Sequence, residues 1–106
     1  MNAQFGMRQY QRQATLSSSP EQLIAKLFDL GVQSCYRGDQ AKVRAVLVEL
    51  MSSINFEHGG EIAQRLYALY EFCLLDVSKG NLDNTREILE GLRDAWKKGV
   101  IQQKAA

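Results

Sequence analysis

Few side chains in this sequence are equipped for covalent chemistry. His58 is its one histidine, set in a polar stretch beside Gly59 and Gly60. General acid–base or nucleophilic catalysis needs a base held near a nucleophile, and a further group orienting the base. In a turn, an isolated imidazole ordinarily solvates or hydrogen-bonds a helix end. Cys35 and Cys73 both fall among apolar residues that recur at helical spacing. Two reduced thiols packed as small hydrophobes are expected there, not a disulfide. A metal site needs more ligands than these thiols and one imidazole. The absence of any Glu-x-x-His pair excludes a carboxylate-bridged di-metal bundle on ligand count. Gly59-Gly60 could cradle a phosphate at a helix start, but no Lys or Ser/Thr follows at the spacing of a nucleotide loop. Glu61 also puts negative charge there, so a tight turn needing unusual backbone angles is the better reading. Lys97 and Lys98 close a helix, where cations suit the dipole. No catalytic residue, no metal and no cofactor are expected, and the chain reads as a non-enzyme.

Length and charge narrow the class further. At 106 residues the chain makes one domain with a core. Thirteen basic against twelve acidic residues give a net charge of +1, too little field to hold a phosphate backbone, so no nucleic-acid partner is expected. The longest apolar run, Leu66–Tyr70, is far short of the ~20 residues that a bilayer demands. Arg8 and Arg12 are not followed by the apolar block of a secretory signal. A soluble, cytoplasmic protein is expected.

The elements that must position any site are helical. Residues 1–16 are polar and Gln-rich with apolar anchors at Phe5, Met7, Tyr10 and Leu16, and read as an arm, loose or docked on the body. The bundle follows over residues 17–106. Ser19-Pro20-Glu21-Gln22 is a strong helix start: an N-cap, a proline in the first position and a capping-box glutamine. Four helices are predicted at about 20–37, 40–54, 60–79 and 83–98, separated by Gly38-Asp39, by Asn55–Gly60 and by Lys79-Gly80-Asn81. The apolar stripe of helix 1 holds Leu23, Ile24, Leu27, Phe28, Val32, Cys35 and Tyr36; that of helix 2 holds Val43, Leu47, Leu50, Met51 and Ile54. Helix 3 carries Ile62, Leu66, Leu69, Tyr70, Cys73, Leu74 and Val77, and helix 4 carries Ile88, Leu89, Leu92 and Trp96. Short connections make sequential helices antiparallel neighbours. The fold class is therefore all-α, an antiparallel up-down-up-down four-helix bundle with an N-terminal arm. Arg86–Glu90 and Asp94–Lys98, spaced i,i+4, read as a solvated face.

Some apolar residues fall outside these stripes: Leu30, Val46, Val48 and Tyr67. Together they suit a groove for an amphipathic partner helix, a wider core or a self-association face, and the pattern leaves the three open. The arm, with Phe5, Met7 and Tyr10, could fill such a groove until a partner displaces it.

Five blocks in order carry a family resemblance: Tyr10-Gln11; Ser19-Pro20-Glu21-Gln22-Leu23-Ile24 with Leu27-Phe28-Asp29; Gly38-Asp39; Gly59–Gln64 with Leu66 and Ala68-Leu69-Tyr70; and Leu92-Arg93-Asp94-Ala95-Trp96. Across nearly its whole length the chain resembles the FliS family of flagellar secretion chaperones, as a shortened member. Helices 1, 2 and 4 are shorter than is usual for that family, Leu30 stands where it usually has Gly, and Arg65 where it usually has Asn.

The resemblance implies a cytoplasmic export chaperone. Such proteins bind the disordered C-terminal segment of flagellin, block its premature polymerisation and deliver it to the flagellar type III export apparatus. On this reading Tyr10, Leu23, Leu27, Ile62, Leu66 and Tyr70 form the partner-binding surface, although Leu23, Leu27, Ile62 and Leu66 share the stripes that must build the core. Two other readings stand beside it. One is a non-enzymatic regulatory or scaffolding bundle of the flagellar system with a different client; the other is a structural homodimer.

Overall fold

Each helix begins where a short polar side chain can satisfy the first free amides. Ser19 Oγ accepts the Gln22 N–H at 3.2 Å and Gln22 Oε1 accepts the Ser19 N–H at 3.3 Å, a complete capping box for α1, Pro20–Tyr36. Asp39 caps α2, Gln40–Ser52, by accepting the Lys42 N–H at 3.0 Å. Asn55 caps α3, Phe56–Ser78, and Asn81 caps α4, Leu82–Trp96. A wider π-type turn, Lys97–Ile101, follows α4. The computed structural model describes residues 19–101. The arm expected at residues 1–16, and Tyr10 with it, lies outside the described residues.

Two of the three connections close in the same way. The Asp39 N–H donates to Ser34 O at 3.0 Å and the Asn81 N–H to Asp76 O at 2.9 Å. Gly38 (φ 70°) and Gly80 (φ 82°) supply the left-handed residue that this closure needs. Asp39 and Asn81 thus finish one helix and cap the next. The Asp76 carboxylate, itself buried, accepts from Asn84 Nδ2 at 2.6 Å and ties the end of α3 to the first turn of α4.

α1 packs on both α2 and α4, and α3 closes the bundle against α2 and α4. Contacts at both ends make α1 and α4 antiparallel. At one end Trp96 Nε1 donates to Glu21 O at 2.8 Å, and the Trp96 ring meets Phe28 edge-on at 6.5 Å. At the other, the Arg86 guanidinium lies over the Tyr36 ring, 4.9 Å from its centroid. Leu27, Leu47, Leu50, Tyr70 and Leu89 are the largest side chains wholly inside. Gly31 lets three helices approach: a Cβ there would stand 2.9 Å from Leu89 Cδ1 and 3.1 Å from Val46 Cγ1.

That approach accounts for one departure from the stripes read in the sequence. Val46, placed outside the stripe of helix 2, is wholly buried because it faces Gly31. Tyr36, placed on the stripe of helix 1, is 69% exposed; its ring is covered by Arg86 and its hydroxyl donates to Glu90 Oε1 at 3.3 Å. On α4, Arg86 pairs with Glu90, but Asp94 pairs with Arg93 (3.1 Å) rather than Lys98. Lys97 reaches across to Asp29 at 3.3 Å, so this cation serves the α1–α4 contact as well as the helix end. Half-exposed pairs of this kind contribute at most about 1 kcal/mol each.

Cys35 and Cys73 are free and buried. Burial pushes the Cys73 thiol up to about 11, against a small opposing effect of the Thr85 hydroxyl beside it, and burial also raises Cys35. Both thiols are therefore neutral near pH 7. Thr85 Oγ1 is buried without a partner of good hydrogen-bonding geometry. Leaving such a hydroxyl unsatisfied costs roughly 1–3 kcal/mol, so Thr85→Val, which keeps the shape, should raise the unfolding free energy by about 1 kcal/mol in urea titration. A loss of stability would mean that the hydroxyl has a partner worth keeping.

Candidate partner-binding groove

The helices differ in length, and the difference opens the surface. α2 has 13 residues, about 20 Å of helix, whereas α3 runs on from Glu61 to Ser78, about 27 Å. Past Ser52 nothing of α2 remains to cover the facing sides of α1 and α3. The chain crosses this gap with Ser53, Ile54 and a short helical turn, Phe56–Gly59. At Gly60 the backbone takes φ 54° and ψ −134°, breaks the helix, and lets that turn lie off the axis of the rest of α3. The stretch read as a break at Asn55–Gly60 is therefore a kinked helical entry, closed by Asn55, which accepts the His58 N–H at 3.1 Å and the Gly59 N–H at 2.8 Å.

The result is an open groove of about 390 Å³ at one end of the bundle. Ile24 and Phe28 come from α1, Ile54 from the segment that follows α2, Ile62, Leu66 and Tyr70 from α3, and Trp96 from the end of α4. Three of the four helices and the segment after α2 thus contribute to it. Ser53, Asn55 and His58 bring the polar groups to its edge. Glu61 and Arg65, outside the lining, pair with each other at 2.6 Å on the surface.

Of the residues expected to bind a partner, Ile62, Leu66 and Tyr70 are brought together in this wall. Ile62 is 76% exposed, so a large apolar side chain is presented to solvent at the mouth. Tyr70 is 2% exposed and its phenol, pushed up by burial, stays neutral. Leu27, 1% exposed, is closed inside the core, and Leu23 is half-buried outside the lining. Tyr10 lies outside the described residues. Ile24, Phe28, Ile54 and Trp96 line the groove but were assigned to core stripes in the sequence. Their stripe membership marked them as apolar and inward; which end of the bundle stays uncovered depends on where α2 stops.

The flanking residues that suggested a groove do not build this one. Val46 is buried, Leu30 packs against the core, and Tyr67 meets Phe56 edge-on at 5.6 Å on the outer side of the kinked turn. Val48, Phe72 and Leu75 are exposed elsewhere.

Chemically, the groove can bind apolar side chains. His58 is its one titratable group apart from the buried Tyr70. Among the described residues no three His, Cys, Asp or Glu side chains gather to hold a metal ion. No helix among them is long and apolar enough to cross a membrane. Ile62→Ser tests whether that side chain has a folding duty. At 76% exposure it should change stability by less than about 0.5 kcal/mol in urea titration. A loss above about 1.5 kcal/mol would assign Ile62 to the core.

Residues 2–104 match the family described as flagellar protein FliS. The flagellar secretion chaperone FliS of Campylobacter jejuni is 28% identical over 108 residues, spanning 82% of this chain and 84% of that protein. That of Salmonella typhimurium is 31% identical over 106 residues, covering 79% and 78% of the two chains. That of Vibrio cholerae is 24% identical over 101 residues, covering 76% and 74%. No solved structure matches the chain significantly. The names of these relatives are those of chaperones, not of enzymes.

Proposed function

The chain belongs to the FliS family of flagellar proteins, and on that premise we propose that it is a flagellar export chaperone whose client is the C-terminal segment of flagellin. It holds that segment in the cytoplasm, prevents premature polymerisation and hands the subunit to the type III export apparatus. The observation that carries this reading is the apolar groove that the described residues leave open, with Ile62 at its mouth.

The physics suits such a client. A disordered amphipathic tail cannot bury its own apolar face, and a bundle with an open groove can bury it in helical form. Ordering the tail costs part of the contact energy, which holds the affinity to a level from which the client can be released. Ile62 and Leu66 offer the contact surface on the α3 side, with Ile24 and Trp96 opposite and the buried Tyr70 and Phe28 as the floor.

Calorimetric titration with the C-terminal peptide of flagellin from the same organism should give saturable binding with a negative heat-capacity change, the mark of apolar burial. No binding at high peptide concentration would transfer the assignment to a regulatory bundle with another client. A second measurement concerns the arm. If residues 1–16 cover the groove, their removal should raise peptide affinity; unchanged or weaker binding would exclude that role.

A further inference from the structure

The groove has one wall unlike the others. Ile24, Phe28, Ile62, Leu66, Tyr70 and Trp96 belong to long helices, whereas Asn55, His58 and Gly59 belong to a single helical turn and its cap. That turn is set off from the rest of α3 by the kink at Gly60. The bonds that close it run back to Asn55, from the His58 N–H at 3.1 Å and from the Gly59 N–H at 2.8 Å. Its residues are exposed apart from a half-buried Gly59.

It is joined to the bundle by a short link on one side and by a glycine on the other. Upstream it follows Ser53 and Ile54, beyond the end of α2. Downstream stands Gly60, whose φ of 54° with ψ of −134° is rarely open to residues bearing a Cβ. A Cβ at Gly60 would meet nothing within 4 Å, so glycine is needed there for backbone conformation and not for space. Two contacts hold the turn on α3: Phe56, half-exposed, meets Tyr67 edge-on at 5.6 Å with the rings at 61°, and Gly59 lies so near Ala63 that a Cβ on it would stand 2.6 Å from the Ala63 Cβ.

We infer that the turn Phe56–Gly59 is a hinged wall of the groove, pivoting at Gly60 and held closed by the Phe56–Tyr67 clamp. It sets how wide a partner the groove admits. At about 390 Å³ the groove has the size of a pocket for anchoring side chains. A helix with its side chains is about 10–12 Å across and gains room when the turn swings outward. Few buried contacts and solvent-exposed backbone bonds are the physical marks of a segment that opens locally while the rest of the fold stays closed. The inference rests on the groove being the client site, and the test separates the two.

Hydrogen–deuterium exchange on the full chain without client tests the hinge alone. The His58 and Gly59 amides should exchange through a local opening insensitive to low urea, while the Tyr70 and Cys73 amides exchange only near global unfolding. Phe56→Ala should speed exchange of the turn about threefold to tenfold, the worth of an aromatic pair beyond its area, and leave the Tyr70 and Cys73 amides unchanged. Protection of the turn equal to that of Cys73, or a Phe56→Ala variant with unaltered exchange, would overturn the hinged wall. In stopped-flow association with the flagellin C-terminal peptide, Phe56→Ala should bind faster than the unaltered chain, because a conformational step before docking slows association. Equal rates would remove the gating role. If the peptide binds neither protein, the client assignment fails and the exchange result alone decides the hinge.

Discussion

A helix of 13 residues cannot cover its longer neighbours, and most of what is distinctive here follows from that mismatch. α2 is spent after Ser52, with Val43, Val46, Leu47 and Leu50 already committed to the core. Beyond that point α1 and α3 still turn Ile24, Phe28, Ile62 and Leu66 toward the groove, and among the described residues Ile62 is left 76% exposed there. Burying apolar area at ~25 cal/mol per Å² drives the rest of the bundle together, and at the mouth of the groove Ile62 does not share in that gain. The kinked entry to α3 screens part of the gap.

The remainder of the fold is arranged so that an open end does not become a loose one. Trp96 is tied to the Glu21 carbonyl and set edge-on to Phe28, fastening the last turn of α4 to the first turn of α1 beside the groove. Asp29 receives Lys97 and Arg93 on the same pair of helices. At the opposite end Tyr36, Arg86 and Glu90 join α1 to α4 again. Gly31 allows α1 to sit close to Val46 and Leu89 midway. A preformed wall carries less ordering cost on binding than one that must assemble around its ligand.

The helical class and the number of helices are legible because each helix carries an apolar stripe bounded by turn residues. Ser19 with Gln22 is readable as a cap from the sequence and does in the fold what its side chains suggest, whereas the caps at Asn55 and Asn81 are visible in the structure alone. Stripe edges were less legible. Val46 and Tyr36 lie at the margins of their stripes, where a glycine on the facing helix draws one inward and a guanidinium lets the other stay out. Ile24, Phe28 and Trp96 carried no mark separating them from ordinary core. Their exposure to the groove depends on the stopping point of a different helix and on the angle that Gly60 gives the next one. Such information lies between elements, beyond the reach of any one element's pattern.

The groove also carries its own reporter. Trp96 is the chain's one tryptophan and lies in the groove lining, so its emission responds to what occupies that space. Titration with a tryptophan-free peptide of the flagellin C-terminal segment, followed by Trp96 fluorescence, is therefore the most direct test of the central claim. If the client lies in the groove, emission moves to the blue as water leaves the indole, and the change saturates together with the heat of binding. Saturable heat with unaltered Trp96 emission would place the client elsewhere on the bundle and contradict the groove as its site.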